Sequence, residues 1–384
     1  MALEFTRSPE PTLGVEVELQ LVDRSTKNLV AGAVLLIEDA DREPDITLKA
    51  ELTQAIVEIN TEICRDVRQA GESLGRQLTK LRDLAAHRGL QIAVSGTHPF
   101  QNWHDQKIYP DERHLAILEK FQWLARRWNT YGMHVHVGVK SGDRAVHIMN
   151  VLVNYIPHLI ALSGSSPYWG GTDTGLVSCR EAVLESFPTG GLPYFLPDWK
   201  EFEKYFETLQ ATGAIQSIKD IYWDIRPHFD FGTIEVRVCD GLPSLWETLA
   251  MAALVQSLVV WIDDQFQKGK RPSQIHMQHY WLAPENKWQA VRYGLDGQII
   301  LPEEGERRVI RDEIVRLVEI LKPVAADLRC TDELEGVTEI LRRGNGAMRQ
   351  RAVFSKEKSL TAVVDSLIGE LSAEPTRTAS NDSR

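Results

Sequence analysis

Three short segments of this chain place polar, chemistry-bearing residues two apart among β-branched ones. They are Gly14-Val15-Glu16-Val17-Glu18-Leu19, Met133-His134-Val135-His136-Val137-Gly138 and Thr233-Ile234-Glu235-Val236-Arg237-Val238. In a β-strand, residues i and i+2 point to one face. Glu16/Glu18, His134/His136 and Glu235/Arg237 then each face one way, with the aliphatic residues facing the other. Side by side, such strands give one sheet face of carboxylates, imidazoles and a guanidinium. A hydrophobic core does not accept unpaired charge, whereas a divalent cation holding phosphate requires it. Alternating Glu on one antiparallel strand ordinarily marks a solvated face. Three such segments, with His and Arg among them, favour a site.

Glu51 and Glu58 flank a second apolar stretch, Ile56-Val57-Glu58-Ile59-Asn60. Magnesium takes oxygen ligands in octahedral geometry and keeps waters and substrate phosphates, so several Glu from separate strands suit two or more such ions. His134 and His136 either chelate one metal or divide between metal and substrate; a hydrogen-bonded pair within a sheet is the plainer alternative. Zinc suits this carboxylate-rich, thiol-poor company less well. Arg237 beside Glu235 either spreads charge from a transferring phosphoryl group or forms an intra-strand salt bridge. Arg226 sits in an extended segment fixed by Pro227, and Arg180 follows a Gly-rich stretch. Their planar forks match a substrate carboxylate bidentately, against simple surface pairing. Asn286, Trp288 and Arg292 fall on an expected helix, with packing as the first role and nucleotide contact as the second. Asn345 and Arg349 are weaker candidates for substrate contact. Neither a Walker loop nor a Gly-x-Gly-x-x-Gly fingerprint occurs, and no local motif supports Ser-His-Asp chemistry.

The elements that must position these residues are readable in outline. Strands are expected at 13–22, around 56–60, at 91–95, across the His-x-His segment, and at 224–239 with breaks at Pro227 and Gly232. Helical spacing covers 65–87, 115–128, 145–162 with a kink at Pro157, 199–209 and 245–266. The stretch 163–197 is irregular and Gly/Ser/Thr/Pro-rich, which inside a domain points to function. Helices follow, with a hairpin expected around Asp296-Gly297. The organisation read from this is a lead over 1–12, one α+β domain over 13–371 and a polar, disordered tail over 372–384.

Composition excludes some classes. The chain has 384 residues, 43% hydrophobic and 25% charged, with a formal net charge of −11. That is ordinary for a globular protein and argues against general nucleic-acid binding. The four cysteines form no Cys-x-x-Cys pair, so reduced thiols in a cytoplasmic protein are the simplest reading. No signal-peptide core opens the chain. The longest apolar run, 249–262, is too short to span a bilayer and reads as a buried core helix.

The set GVEVEL, ELTQAIVEINTEIC, GTHPF, GMHVHVGV, SPYWGGTDTGLVSCR, WDIRPHFDFGTIEVRVCD and ENKWQAVRYGLDG resembles the glutamate–cysteine ligase type 2 family, in its YbdK-like carboxylate–amine ligase subgroup, from about 13 to about 370. The resemblance implies a glutamine-synthetase-like fold: a curved antiparallel sheet, helices on its outer face and the active site on the concave face. It implies ATP with Mg2+ (or Mn2+), amino-acid and amine substrates, and a homodimer. It makes Glu16, Glu18, Glu51, Glu58, His134 and Glu235 metal ligands, His136 a substrate-side and catalytic residue, and Arg237 the phosphate-contacting arginine. Outside the resemblance, the residues themselves keep Arg292 and Asn286 as candidate nucleotide contacts and Arg180 and Arg226 as candidate substrate contacts. The implied reaction activates a carboxylate as an acyl phosphate and joins it to an amine, with γ-glutamylcysteine as the reference product. Two other classes compete: a metal-dependent amidohydrolase, which needs further His ligands on a barrel, and a non-catalytic nucleotide-binding protein on the same scaffold.

Overall fold

The computed structural model describes residues 3–269, 281–301 and 305–372. Its centre is a seven-stranded sheet. The strands are β1 (Leu13–Asp23), β2 (Leu48–Ala50), β3 (Ile56–Asn60), β4 (Leu90–Ala93), β5 (Gly132–Gly138), β6 (Ile225–His228) and β7 (Thr233–Asp240). They lie in the order β6-β7-β5-β1-β3-β2, with β4 pairing the far end of β1. Every pair in this sheet is antiparallel, and the described residues form no barrel of parallel strands such as an amidohydrolase needs.

The period of two decides which face is buried. Along β1, Leu13, Val15, Val17, Leu19 and Leu21 are all buried, each side chain contributing about 1.5–3 kcal/mol on removal from water. They face helices α1 (Val67–His87), α3 (Gly142–Leu152), α4 (Ile156–Ser163) and α5 (Leu245–Gln267), with α2 (Glu112–Phe121) elsewhere in the molecule. Helix α1 starts where Asp66 accepts from the Gln69 amide and lays Leu74, Leu78 and Leu81 on the sheet. Helix α5 starts at a Ser244 cap. Residues 310–327 and 331–343 form helices that pack outside α5. The expected architecture, an α+β sheet with helices on one face and the polar face open, is therefore present.

Several boundaries differ from expectation for definite reasons. The expected helix at 115–128 is two helices, α2 and Trp123–Arg127, parted at Gln122, whose φ is 48°. The helix expected at 145–162 is α3, a 3-10 turn and α4, with Pro157 in the first turn of α4 rather than at a kink. Pro227 lies inside β6. The hairpin expected around Asp296-Gly297 lies later, between Gln298–Leu301 and Glu306–Val309. The lead is tied to the domain: Thr6 N donates to Phe229 O, Ser8 N to Val139 O and Gln256 Nε2 to Pro11 O. Residues 373–384 of the expected tail lie outside the described residues. Two stretches are long and apolar enough to cross a membrane, Gly142–Ser163 and Leu245–Gln267, yet 78% and 72% of them is buried within the protein; they are core helices.

Candidate active site

Strand register builds one polar row across the open face. Glu16 of β1 pairs His134 of β5 on one side and Asn60 of β3 on the other, and Glu18 pairs Glu58. His136 of β5 pairs Glu235 of β7, and Glu235 pairs Arg226 of β6. Cross-strand partners share a face, so the remote carboxylates and imidazoles converge. After Val236 the β5–β7 register slips, and Cys239 is the next residue paired. Arg237 lies within this shift, on the face it shares with Glu235; its Nη1 donates to Glu235 Oε1 at 2.5 Å and comes within 3.5 Å of His134 Nδ1.

Three groups bring ligand atoms within 4.8 Å of one another: Glu16/His136/Glu235, Glu16/Glu58/His134 and Glu18/Glu51/Glu58. Oxygen-rich sets with at most one imidazole suit magnesium or manganese. His134 Nδ1 lies 3.0 Å from Glu16 Oε2, and with the proton there its buried Nε2 has no hydrogen-bond partner among the described residues. Such a lone pair is what a metal-binding imidazole presents. These residues therefore fit a divalent cation.

The electrostatics point the same way. Burial would raise the Glu16 carboxyl, but the His134 hydrogen bond and the His136 charge outweigh it and pull it down to about 2. Burial and the Glu18 charge push Glu51 up to about 8. Burial, then the charges of Glu16 and Glu51, hold Glu58 well above the ordinary carboxylate range. Glu235 goes the other way: burial opposes ionisation, and Arg226 and Arg237 together overcome it. Carboxylates that resist ionising beside one another become a stable set once a cation lies between them.

The arginines divide. Arg226 spends its donors inside the protein, on Glu235 Oε2 (2.7 Å) and Oε1 (3.3 Å) and on the carbonyls of Ile218 (3.0 Å) and Ile221 (2.5 Å). Arg180 is buried, with Nη1 on Glu181 (2.9 Å) and Nη2 on the Arg237 carbonyl (3.1 Å). A Cβ on Gly132 would meet Arg180 Nη2 at 2.3 Å, so only glycine admits the guanidinium there; the Gly132 amide also donates to Glu18 Oε2 at 2.5 Å. Behind Arg180, the buried Lys287 lies 2.9 Å from Glu181, 2.7 Å from Asp224 and 2.8 Å from Glu185. The Asp224 carbonyl accepts from the Arg237 amide at 2.8 Å. Lys287 and Arg180 thus brace the backbone on both sides of Arg237.

Other expected contacts lie apart from the cluster. Asn286, on α6 (Leu282–Tyr293), exchanges two hydrogen bonds with the Ile300 backbone, at 3.1 and 2.8 Å. Arg292 donates to Gly175 O and stacks on Tyr293. Asn345 caps a helix and reaches Ala161 O, and Arg349 ties Glu247 to Glu370. All four are engaged in packing.

A cavity of about 870 Å3 opens beside Glu16 and His136, with Asn60, Arg76, Phe231 and Thr233 among its walls. Phe231 is exposed and stacks on His228 at 4.1 Å with rings nearly parallel. Asn60, which donates to Glu16 Oε1 at 3.1 Å, was overlooked in the sequence; its i+2 spacing from Glu58 is the signal that marks it. Lys287 carries no such signal, because its partners come from two remote segments, Glu181 with Glu185 and Asp224.

Comparison with known proteins follows the same lines. The model of glutamate–cysteine ligase family 2 (GCS2) matches residues 12–367. A Frankia alni protein named "Putative glutamate--cysteine ligase 2-1" is 46% identical over 377 residues, 97% of this chain and 98% of its own length. A Thermobifida fusca protein named "Putative glutamate--cysteine ligase 2" is 43% identical over 377 residues, 97% of this chain and 94% of its own. Among solved structures, the Francisella tularensis glutamate–cysteine ligase in complex with AMP aligns with a TM-score of 0.68 at 12% identity, covering 97% of this chain and 91% of that one. A bifunctional glutathione synthetase from Pasteurella multocida aligns at 0.66 and 13%, covering 94% and 52%. At those identities the two structures speak for the shared fold. The family match and the relatives' identity along nearly the whole length go further: the chain belongs to glutamate–cysteine ligase family 2, and with it to the ATP-dependent ligases.

Proposed function

We propose that the protein joins the carboxylate of one amino acid to an amine through an acyl phosphate, with glutamate and cysteine as the reference pair and ADP and phosphate as co-products. The observation that carries this reading is the convergence of Glu16, Glu18, Glu51, Glu58, Glu235 and two histidines into three overlapping cation groups beside a cavity of about 870 Å3. In this reading the cavity takes ATP, with Phe231 on His228 as a platform for the base. Magnesium or manganese held by the six metal-ligand candidates would offset charge on the phosphates.

The chain's own residues supply the rest. Arg237 is fixed at Nη1 by Glu235 and keeps its remaining N–H groups for the transferring phosphoryl group, where positioned charge is the main catalytic contribution. The substrate carboxylate attacks the γ-phosphorus and ADP leaves. The amine nitrogen then attacks the activated carbonyl, loses a proton, and phosphate leaves. His136 stands between Glu16 and Glu235, at 3.7 and 3.8 Å, and faces the cavity beside the phosphates. A cytoplasmic location and assembly as a homodimer belong to the same proposal.

The test is phosphate release from ATP and magnesium with a panel of acids and amines. Release that needs both an acid and an amine, and that disappears in Glu235→Gln, is the expected result. Amide hydrolysis without ATP, or nucleotide-dependent thermal stabilisation with no turnover, contradicts it.

A further inference from the structure

The backbone of Arg237 is held by groups outside the regular ladder. Hydrogen-bonded partners on antiparallel strands exchange two bonds, one in each direction. One step beyond the Ile225–Val236 pair, Asp224 stands opposite Arg237. The Arg237 amide donates to Asp224 O at 2.8 Å, but the Asp224 amide donates to Gly191 O at 2.8 Å instead of returning a bond. The Arg237 carbonyl accepts from Arg180 Nη2 at 3.1 Å in its place. Toward β5, Arg237 falls within the register shift and has no paired residue. Asp224 and Arg180 therefore decide where this part of β7 lies.

Lys287 joins those two residues. Its Nζ lies 2.7 Å from Asp224 Oδ2 and 2.9 Å from Glu181 Oε2. Glu181 Oε1 in turn accepts from Arg180 Nη1 at 2.9 Å. A third carboxylate, Glu185, lies 2.8 Å from the same Nζ. Burial opposes the charge on Lys287, and Asp224, Glu181 and Glu185 overcome it. The residue is buried and comes from α6, which lies outside the sheet. One ammonium thus fixes both partners of the Arg237 backbone.

The same ammonium stays clear of substrate. The recess bounded by Arg180, Glu181, Asp224 and Arg237 has about 10 Å3, room for one water at most. It shares no lining residue with the large cavity, and Lys287 lines neither. Its route to the chemistry runs through Arg237.

Resting on the ligase reading, we infer that Lys287 is a positioning residue for phosphoryl transfer. Through Asp224 on one path, and through Glu181 and Arg180 on the other, it sets the Arg237 backbone. With the backbone it sets the guanidinium that meets Glu235 and the transferring phosphoryl group. Charge aimed at a transition state counts only while it is held in place. A cluster that merely holds the fold together would cost stability when broken and leave each folded molecule fully active.

The experiment is steady-state phosphate release by the full chain, with ATP, magnesium and the acid and amine that support release in the wild type. Rates are taken per folded molecule, with the folded fraction read from urea denaturation. Lys287→Met strands three carboxylates, so Asp224→Asn is measured beside it; that variant removes one charge and keeps the carbonyl that Arg237 uses. Lys287→Met is expected to lower kcat about 10–100-fold, the cost of displacing a reacting group by about 1 Å. The KM values for ATP, acid and amine stay within about twofold. Asp224→Asn lowers kcat less, again at level KM, and Lys287→Arg recovers part of the loss. Raised KM at level kcat overturns the inference, because Lys287 then serves binding. Unchanged kcat per folded molecule overturns it too, and Asp224→Asn decides alone where Lys287→Met does not fold. A wild type silent over the whole panel overturns the ligase reading itself, whereas an active wild type with unaffected variants overturns only the role of Lys287.

Discussion

Arg226 and Glu235 face each other across the β6–β7 pair, with the guanidinium Nε 2.7 Å from the carboxylate Oε2 and both side chains buried. This contact keeps Glu235 ionised inside the sheet and leaves Arg237 to share it from the other side. Two positive groups on one buried carboxylate cost desolvation energy, and the arrangement holds only while each donor is matched.

Arg226→Lys tests that role. Lysine keeps the charge but loses the fork, so it cannot serve Glu235 and the carbonyls of Ile218 and Ile221 together. The expected loss of stability is about 2–4 kcal/mol in urea denaturation. Turnover should fall as Arg237 settles onto Glu235, with little change in KM for the acid. A clamp on the substrate carboxylate predicts the reverse: raised KM with stability intact.

Glu58→Gln separates stability from function. Glu58 is buried beside Glu16, Glu18 and Glu51, and its carboxyl is held well above the usual range. A carboxyl whose pKa is raised on folding weakens the fold as pH climbs past its unfolded value. The variant, free of that penalty, should gain about 1 kcal/mol at neutral pH without divalent cations, and the gain should vanish near pH 4. Magnesium at 100 times its dissociation constant should stabilise the wild type by about 2.7 kcal/mol for each site and the variant by less, because only the Glu16/His136/Glu235 group is without Glu58. Equal magnesium responses in thermal melts would remove Glu58 from the cation groups.

The cluster was legible because a period of two is a fixed property of strands: Glu16/Glu18, His134/His136 and Glu235/Arg237 share faces whatever the topology. Which strand lies beside which is decided by long-range pairing, and that decided the arginines. Arg226 reads equally well as a clamp or as a partner until β6 is placed against Glu235. The misplaced hairpin has a local cause. Gly297 looked like a turn residue, but a Cβ there would meet the Gln289 carbonyl at 2.6 Å. The glycine serves close approach to α6, and the paired strands are Gln298–Leu301 and Glu306–Val309.

His98 gives the fold a pH dependence of its own. It belongs to the Gly96-Thr97-His98-Pro99 turn. Its Nε2 meets Lys27 O at 2.9 Å, and its Nδ1 accepts from the amides of Gln101 (3.1 Å) and Phe100 (3.4 Å). Both ring nitrogens are thus spent in the neutral form, and a proton on Nδ1 would face two N–H groups. Burial, only partly offset by the Lys27 carbonyl, lowers its pKa from 6.5 to about 4. For a histidine shifted down on folding, the stabilisation is complete above 6.5 and is lost as pH falls toward 4, because the unfolded chain takes up the proton first. The loss over that interval is about 3 kcal/mol. His98→Gln keeps a donor toward Lys27 O and cannot be protonated. It should be less stable than the wild type at pH 7 by about 1 kcal/mol, and its stability should fall less steeply between pH 6.5 and 4. Urea midpoints at half-unit pH steps measure both slopes, with the carboxylate contribution common to the two proteins. Parallel slopes would mean that His98 is protonated in the native state, and that the hydrogen bonds assigned to its Nδ1 are not made in solution.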